Sequence, residues 1–158
     1  MTNQTDVEIR VRPAVGTDLN TLVDFNAAMA RETEDKVLDR DRLRTGVAAV
    51  LQGKDRGFYL VAESDGRVVG QLLVTTEWSD WRNGYFWWIQ SVYVHQDYRG
   101  RGVYRTLHRH VETEARRQSD VCGLRLYVVR DNLVAQEVYA RLDMRQCRYD
   151  MYETDFTQ

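Results

Sequence analysis

Residues 85–94, Tyr-Phe-Trp-Trp-Ile-Gln-Ser-Val-Tyr-Val, run almost unbroken through apolar and aromatic side chains, then lead into Tyr98-Arg99-Gly100-Arg101-Gly102. A run this rich in β-formers predicts a strand, and one so poor in polar positions predicts a strand covered on both faces and central in its sheet. After the loop, Val103, Leu107, Val111 and Ala115 recur at helical spacing on one face. A buried strand, a glycine loop and an amphipathic helix in direct succession are the frame onto which the other elements must fit.

Val7 to Arg12 alternates and ends at Pro13, the only proline, as an edge strand would. Thr17 or Asp18 can cap a helix carrying Leu19, Leu22, Val23 and Ala30, and a second helix carries Leu43, Val47, Val50 and Leu51. Phe58 to Ala62 and Val68 to Val74 read as strands joined by the hairpin signal Asp65-Gly66, and Asn83-Gly84 marks the next turn. Leu124, Leu126 and Val128 alternate in a further strand. Ala135, Val138, Tyr139 and Leu142 share one helix face behind Asp131 or Asn132, and a last strand is expected from Arg145 to Tyr152. The order β-α-α-β-β-β-α-β-α-β describes a mixed α/β (α+β) sheet with helices packed on it. With no repeat and no linker, residues 1–158 read as a single domain.

The Arg/Gly loop is where chemistry concentrates. The first amides of a helix lack intrahelical partners and carry the positive end of its dipole. Glycines at 100 and 102 permit close backbone approach, and Arg99 and Arg101 add positive charge, so the segment suits a pyrophosphate. A phosphate loop of the Walker type would need Gly-Lys-Ser/Thr where this chain has Gly102-Val103-Tyr104, and a dinucleotide fingerprint would need three glycines after the first strand. A tight strand-to-helix turn with solvated arginines is the plainer alternative.

The context around the loop decides between them. The stretch from Ser91 to Tyr104 resembles the acetyl-CoA motif of the GNAT superfamily of N-acetyltransferases, Arg/Gln-x-x-Gly-x-Gly/Ala after a strand. Arg99 and Gly102 match; Tyr104 replaces the small residue usual at the last position. Asn132-x-x-Ala135-x-x-x-Tyr139 is similar to the family's Asn-x-x-Ala-x-x-x-Tyr helix, and Arg141-Leu142-Asp143-Met144 stands where Arg-Leu-Gly-Phe is usual. Val11-Arg12-Pro13-Ala14 through Asp18, and Val69-Gly70-Gln71, also fit. The resemblance implies a GNAT-like fold with acetyl-CoA as co-substrate. Backbone groups at Val92, Tyr93 and Val94 would lie along the pantetheine arm, and one N–H there would polarise the thioester carbonyl. Amides from Arg99 through Gly100, Arg101, Gly102, Val103 and Tyr104 would hold the pyrophosphate. Asn132 and Ala135 would border the arm, with Tyr139 beside the sulfur. Tyr104 must point away from the phosphates or give them its hydroxyl.

Direct attack of an amine, through a tetrahedral intermediate, needs a base, a polarised carbonyl and a proton for the leaving thiolate. Tyr139 is the candidate acid. A covalent route is the poorer reading, because Cys122 and Cys147 have no His or acid neighbour in a nucleophile pattern. Family members often carry a glutamate early in the central strand; here that region is Phe86-Trp87-Trp88. Glu77, Glu32 and Glu34 are the substitutes. All four tryptophans (Trp78, Trp81, Trp87, Trp88) fall near Asn83-Gly84. Trp87 and Trp88 must face opposite ways, so at least one belongs to the core. Trp78 and Trp81 beside carboxylates suit a cationic acceptor, or else pack against the first helices or a second subunit of a homodimer.

Composition excludes several classes. The net charge of −2 argues against a general nucleic-acid or membrane binder. Six arginines do cluster between Arg99 and Gln118, but the phosphates of CoA account for them. No run suits a membrane helix, the polar Met1 to Glu8 is not a secretory signal, and two unpatterned cysteines read as reduced packing residues in a cytoplasmic protein. His108 and His110 face different directions and His95 sits in a loop, so no metal site is expected. The reading is an N-acetyltransferase acting on a primary amine, most simply a cationic small molecule. Acylation of protein amines and a non-catalytic CoA-sensing module are the alternatives.

Overall fold

The computed structural model describes residues 8–53 and 55–157. The chain divides into two compact units, Met1–Leu126 and Tyr127–Gln158. The first unit holds strands β1 (Arg10–Pro13), β2 (Phe58–Ser64), β3 (Arg67–Ser79), β4 (Gly84–Val94) and β5 (Val121–Arg125), with helices α1 (Leu19–Glu34), α2 (Arg40–Gln52) and α3 (Val103–Arg117). The strands lie in sequence order, antiparallel from β1 to β4, with β5 parallel to β4. The α/β order expected from the sequence is therefore present up to α3 and β5. β1 is the edge strand; Val7, the expected start, lies outside the described residues.

Local chemistry explains the turns. Ser64 pairs with Arg67 across a two-residue loop in which Asp65 and Gly66 have φ of 50° and 74°. Two positive φ angles are what a type I′ hairpin requires, and Asp-Gly supplies them at little cost. Asp18 stands at the head of α1, but its carboxylate accepts from the Val15 amide (2.8 Å) and from Arg12 (2.7 and 3.0 Å) instead of capping the helix. Bonding to Arg12 lowers the Asp18 pKa against the opposing effect of burial. For α2 the cap is Asp39, which accepts from the Arg42 amide.

Each face of the sheet has its own core. Leu60, Ala62, Val69, Leu72, Val74, Trp87 and Ile89 pack with Val103, Leu107, Val111 and Ala115 of α3. On the other face Tyr59 and Val61 pack with Leu22 and Val23 of α1 and Val47 of α2. Trp87 is the core tryptophan, and Trp88, on the opposite face, is half-buried. β4 is interior, although β3 holds the middle of the sheet.

Three expectations change. Cys122 and Cys147 are free thiols but exposed rather than packed. Cys122 falls where the β4–β5 register slips, which turns it out of the core. The strand expected from Arg145 to Tyr152 does not form. The second unit contains α4 (Leu133–Arg141) followed by irregular chain, with Tyr149, Met151 and Tyr152 exposed. Alternation of side chains is not enough for a strand, because its backbone groups need a paired neighbour, and none is described within that unit. The β5 alternation likewise stops early, leaving Val128 outside the sheet.

Within the second unit the reading of α4 holds. Ala135, Val138 and Tyr139 are half-buried, with Gln136, and so is Leu142 just past its end. Asn132 is the cap, its side-chain oxygen accepting from the Ala135 amide at 3.1 Å. Asp143 occupies the left-handed region at φ 61° while the Met144 amide closes back on the Tyr139 carbonyl at 3.1 Å, a glycine-type helix ending made by Asp.

Candidate active site on the open half of β4

β4 is built in two parts. From Tyr85 to Trp88 it pairs with β3 on one edge and β5 on the other; the β5 ladder stops at Trp88–Arg125. From Ile89 to Val94 its pairing among the described residues is with β3 alone. In this second part Gln71 faces Tyr93 but Leu73 faces Gln90, so Ser91 and Val92 together oppose Leu72. That is a β-bulge, and Ser91 takes φ 48° to make it. The extra residue inverts the alternation. Trp87 and Ile89 point to the α3 core, and beyond the bulge Val92 and Val94 do so, leaving Tyr93 on the α1 face against Phe25 at 4.9 Å.

The strand ends in the Arg/Gly loop. A short 3₁₀ turn, Gln96–Tyr98, follows His95, whose ring accepts from the Asp97 amide at 3.2 Å. Gly100 and Gly102 have φ of 73° and 79°. Both lie in the left-handed region that glycine enters freely. The first backbone bond of α3 back into the loop is Thr106 N–H to Gly102 C=O at 3.0 Å, so the helix opens directly at the loop. Gly70 of β3 sets how close that opening comes to the sheet: a Cβ there would lie 2.8 Å from Val103 Cγ1. Left-handed glycines and a helix N-terminus follow directly on the strand edge that β5 leaves, a backbone arrangement that suits an anion.

The side chains of the motif act differently from their simplest reading. Arg99 turns back, donating from Nε to the Val94 carbonyl at 3.0 Å and from Nη2 to Glu32 at 2.7 Å, with its guanidinium 5.4 Å from the Tyr93 ring. Arg101 lies over Tyr98 at 5.4 Å. Tyr104 points along α3, its hydroxyl 3.1 Å from Nδ1 of the buried His108. Burial lowers the pKa of that histidine, with Glu112 opposing, which keeps the ring neutral.

The carboxylates separate. Glu32 accepts from the Tyr93 hydroxyl at 3.1 Å as well as from Arg99, so it stands beside the bulged segment. Burial, then Glu32, raises the Tyr93 pKa and keeps its hydroxyl a donor. Glu34 pairs with Lys36 at 2.9 Å. Glu77 is opposite Phe86 and bonded to Arg125 at 2.6 Å, while the Arg125 guanidinium lies 3.6 Å above the Phe86 ring. Phe86 precedes Ser91 by five positions, about 17 Å of extended strand. Trp78 rests edge-on against Tyr85 at 4.9 Å and is 52% exposed, and Trp81 at the turn is 87% exposed. Asn132, Ala135 and Tyr139 belong to the second unit, where burial raises the Tyr139 pKa. Sequence reasoning missed Ser91 as a bulge, Gln71 beneath it and Arg125 over Phe86. The polar pair Gln90-Ser91 inside an apolar run was the one signal for the bulge.

Comparison with known proteins identifies the architecture. The family model described as acetyltransferase (GNAT) family matches residues 22–144. The chain belongs to the GNAT family of acetyltransferases. The crystal structure of a possible acetyltransferase from Clostridium difficile 630 is 42% identical, with a TM-score of 0.88, covering 95% of this chain and 99% of that one. The fold is shared with the aminoglycoside N-acetyltransferase AAC(6')-Iy in complex with CoA, at 14% identity and TM-score 0.75 over 99% of each chain. It is shared also with the ribosomal-protein-alanine N-acetyltransferase from Brucella melitensis biovar Abortus 2308, at 18% identity and TM-score 0.76, covering 94% of this chain and 99% of that one. No match was found among curated proteins. As a member of the GNAT family the chain is, in general terms, an acetyl-CoA-dependent acyltransferase.

Proposed function

We propose that this chain, acting as one N-acetyltransferase domain in the cytoplasm, transfers the acetyl group of acetyl-CoA to a primary amine on a cationic small molecule. The observation that carries the reading is the bulged, one-sided half of β4 running into left-handed Gly100 and Gly102 at a helix N-terminus. Amides of the loop hold the pyrophosphate, and the backbone at Val92–Val94 lies along the pantetheine arm. The amine attacks the thioester carbonyl directly, through a tetrahedral intermediate, while a backbone N–H at the bulge stabilises the developing oxyanion. Glu32 takes the proton of the amine, directly or through water, because it is bonded to Tyr93, the neighbour of Val92. Tyr139 donates a proton to the departing thiolate; its raised pKa keeps that proton in place over the working pH range. Asn132 and Ala135 support the arm on the same helix.

Glu77, five positions up the strand from the bulge and flanked by Trp78 and Trp81, fits acceptor recognition better than proton transfer, with Glu34 further out. Exposed indoles beside a carboxylate attract a cation through ring quadrupole and charge. A second reading, a CoA-binding module without turnover, is favoured by one observation: Glu32 and Glu77 are both already paired with arginines.

A thiol-release assay with acetyl-CoA over polyamines, aminoglycosides, amino acids and peptides separates these readings. Cationic small molecules are expected to exceed anionic amino acids in kcat/KM, and Trp81→Ala or Glu77→Gln is expected to raise the acceptor KM several-fold with acetyl-CoA affinity kept. Preference for peptides points to protein acylation; binding without thiol release points to the sensing module.

A further inference from the structure

Beneath the bulge, in the α1-side core otherwise filled by Leu22, Val23 and Val61, lies a polar cluster. Gln71 of β3 is 0% exposed, and its Nε2 donates to the Ser91 carbonyl at 3.1 Å. Tyr59 of β2 sets its hydroxyl against the Ser91 side chain and accepts from Asn26 Nδ2 of α1 at 3.3 Å. Asn26 also donates to the Leu22 carbonyl at 2.9 Å. Tyr59 and Asn26 are each 5% exposed. Three elements thus each contribute one buried polar side chain, and all three lead to Ser91.

Packing alone gives no reason for an amide at position 71, since leucine or methionine would fill a similar volume without a buried polar cost. The amide can do one thing they cannot. A bulge disrupts the ladder locally, and Gln71 Nε2 gives the Ser91 carbonyl a donor there. In a planar trans peptide the C=O and the following N–H point in opposite directions. Holding the Ser91 carbonyl toward Gln71 therefore turns the Val92 N–H away from it, in the stretch of β4 that β5 does not pair. The same bond holds Ser91 in a left-handed conformation that serine seldom takes.

We propose that Gln71 is a positioning residue for acetyl transfer: it pins the Ser91–Val92 peptide so that the Val92 N–H is set in advance for the oxyanion. This rests on the N-acetyltransferase reading above. Asn26 and Tyr59 brace the other side of Ser91.

The test compares Gln71→Leu, Gln71→Met and the double variant Gln71→Leu/Ser91→Gly. Each single variant is expected to lose roughly 10- to 100-fold in kcat, less than outright removal of an oxyanion donor. Acetyl-CoA affinity should stay within about two-fold, because Gln71 is fully buried and bonded to Ser91, outside the glycine loop. Glycine enters the left-handed region unaided, so Ser91→Gly should restore most of the lost kcat in the Gln71→Leu background. A second readout needs no turnover: amide hydrogen exchange of the free protein at Tyr93, which faces Gln71 across the β3–β4 ladder, should accelerate about ten-fold or more in Gln71→Leu, with β1 and β2 unchanged. Unchanged kcat and exchange would overturn the proposal, as would a loss that spreads over the whole sheet and resists Ser91→Gly. If the wild-type protein turns over no amine, the functional reading fails and the exchange experiment alone decides the pin.

Discussion

The two halves of β4 carry the same kind of residues and do opposite work. From Tyr85 to Trp88 both edges are paired, the register runs on without a bulge on the β3 side, and Phe86 and Trp87 are buried on opposite faces. From Ile89 to Val94 only β3 pairs with the strand among the described residues, a serine sits in left-handed backbone, and the side chains below are an amide, a phenol and a second amide. The first half spends its hydrogen bonds on the sheet and its side chains on the core. The second keeps backbone groups in reserve. A strand offers a ligand only what its neighbours leave unsatisfied, so chemistry belongs where pairing stops.

The substitution that presses hardest on this contrast is Gly102→Val. It leaves both halves of β4 intact but forces a side chain onto φ 79°, with its Cβ 3.3 Å from Arg105. Acetyl-CoA affinity measured by calorimetry should fall by about 100-fold or more, some 2.7 kcal/mol, while circular dichroism reports a folded sheet. Unchanged affinity in a folded variant would detach the loop from the donor site. Tyr139→Phe, of comparable size, asks whether the second half of β4 works alone. The ring stays and the proton goes, so kcat should drop by roughly 10²- to 10⁴-fold at constant acetyl-CoA affinity. Full turnover would mean that the thiolate leaves unassisted. The Gln71 series above is the smaller, finer probe, since it changes the aim of one peptide and removes no reacting group.

What the sequence made legible follows from range. Asp65-Gly66 announces its turn because left-handed φ at two adjacent positions is a local demand. Val103, Leu107, Val111 and Ala115 announce α3 because burial on one helix face is periodic. The Arg/Gly loop and the Asn132-to-Tyr139 helix are motifs of the same short range. What stayed hidden is long-range. Arg99 meets Glu32 across 67 positions and Arg125 meets Glu77 across 48, pairings that no spacing encodes. The bulge is a mismatch between two strands and so is written in neither alone. The expected strand over Arg145 to Tyr152 failed for the same reason, since alternation describes a side-chain pattern while a strand depends on what lies beside it.

The contrast can be measured on one strand in one experiment. Site-resolved amide hydrogen exchange, with and without saturating acetyl-CoA, reports the two halves of β4 side by side. Acetyl-CoA should slow exchange at Val92, at Val94 and across Gly100 to Tyr104, and leave Phe86 to Trp88 unchanged. Equal protection of both halves, or no protection from Val92 to Tyr104, would contradict the account.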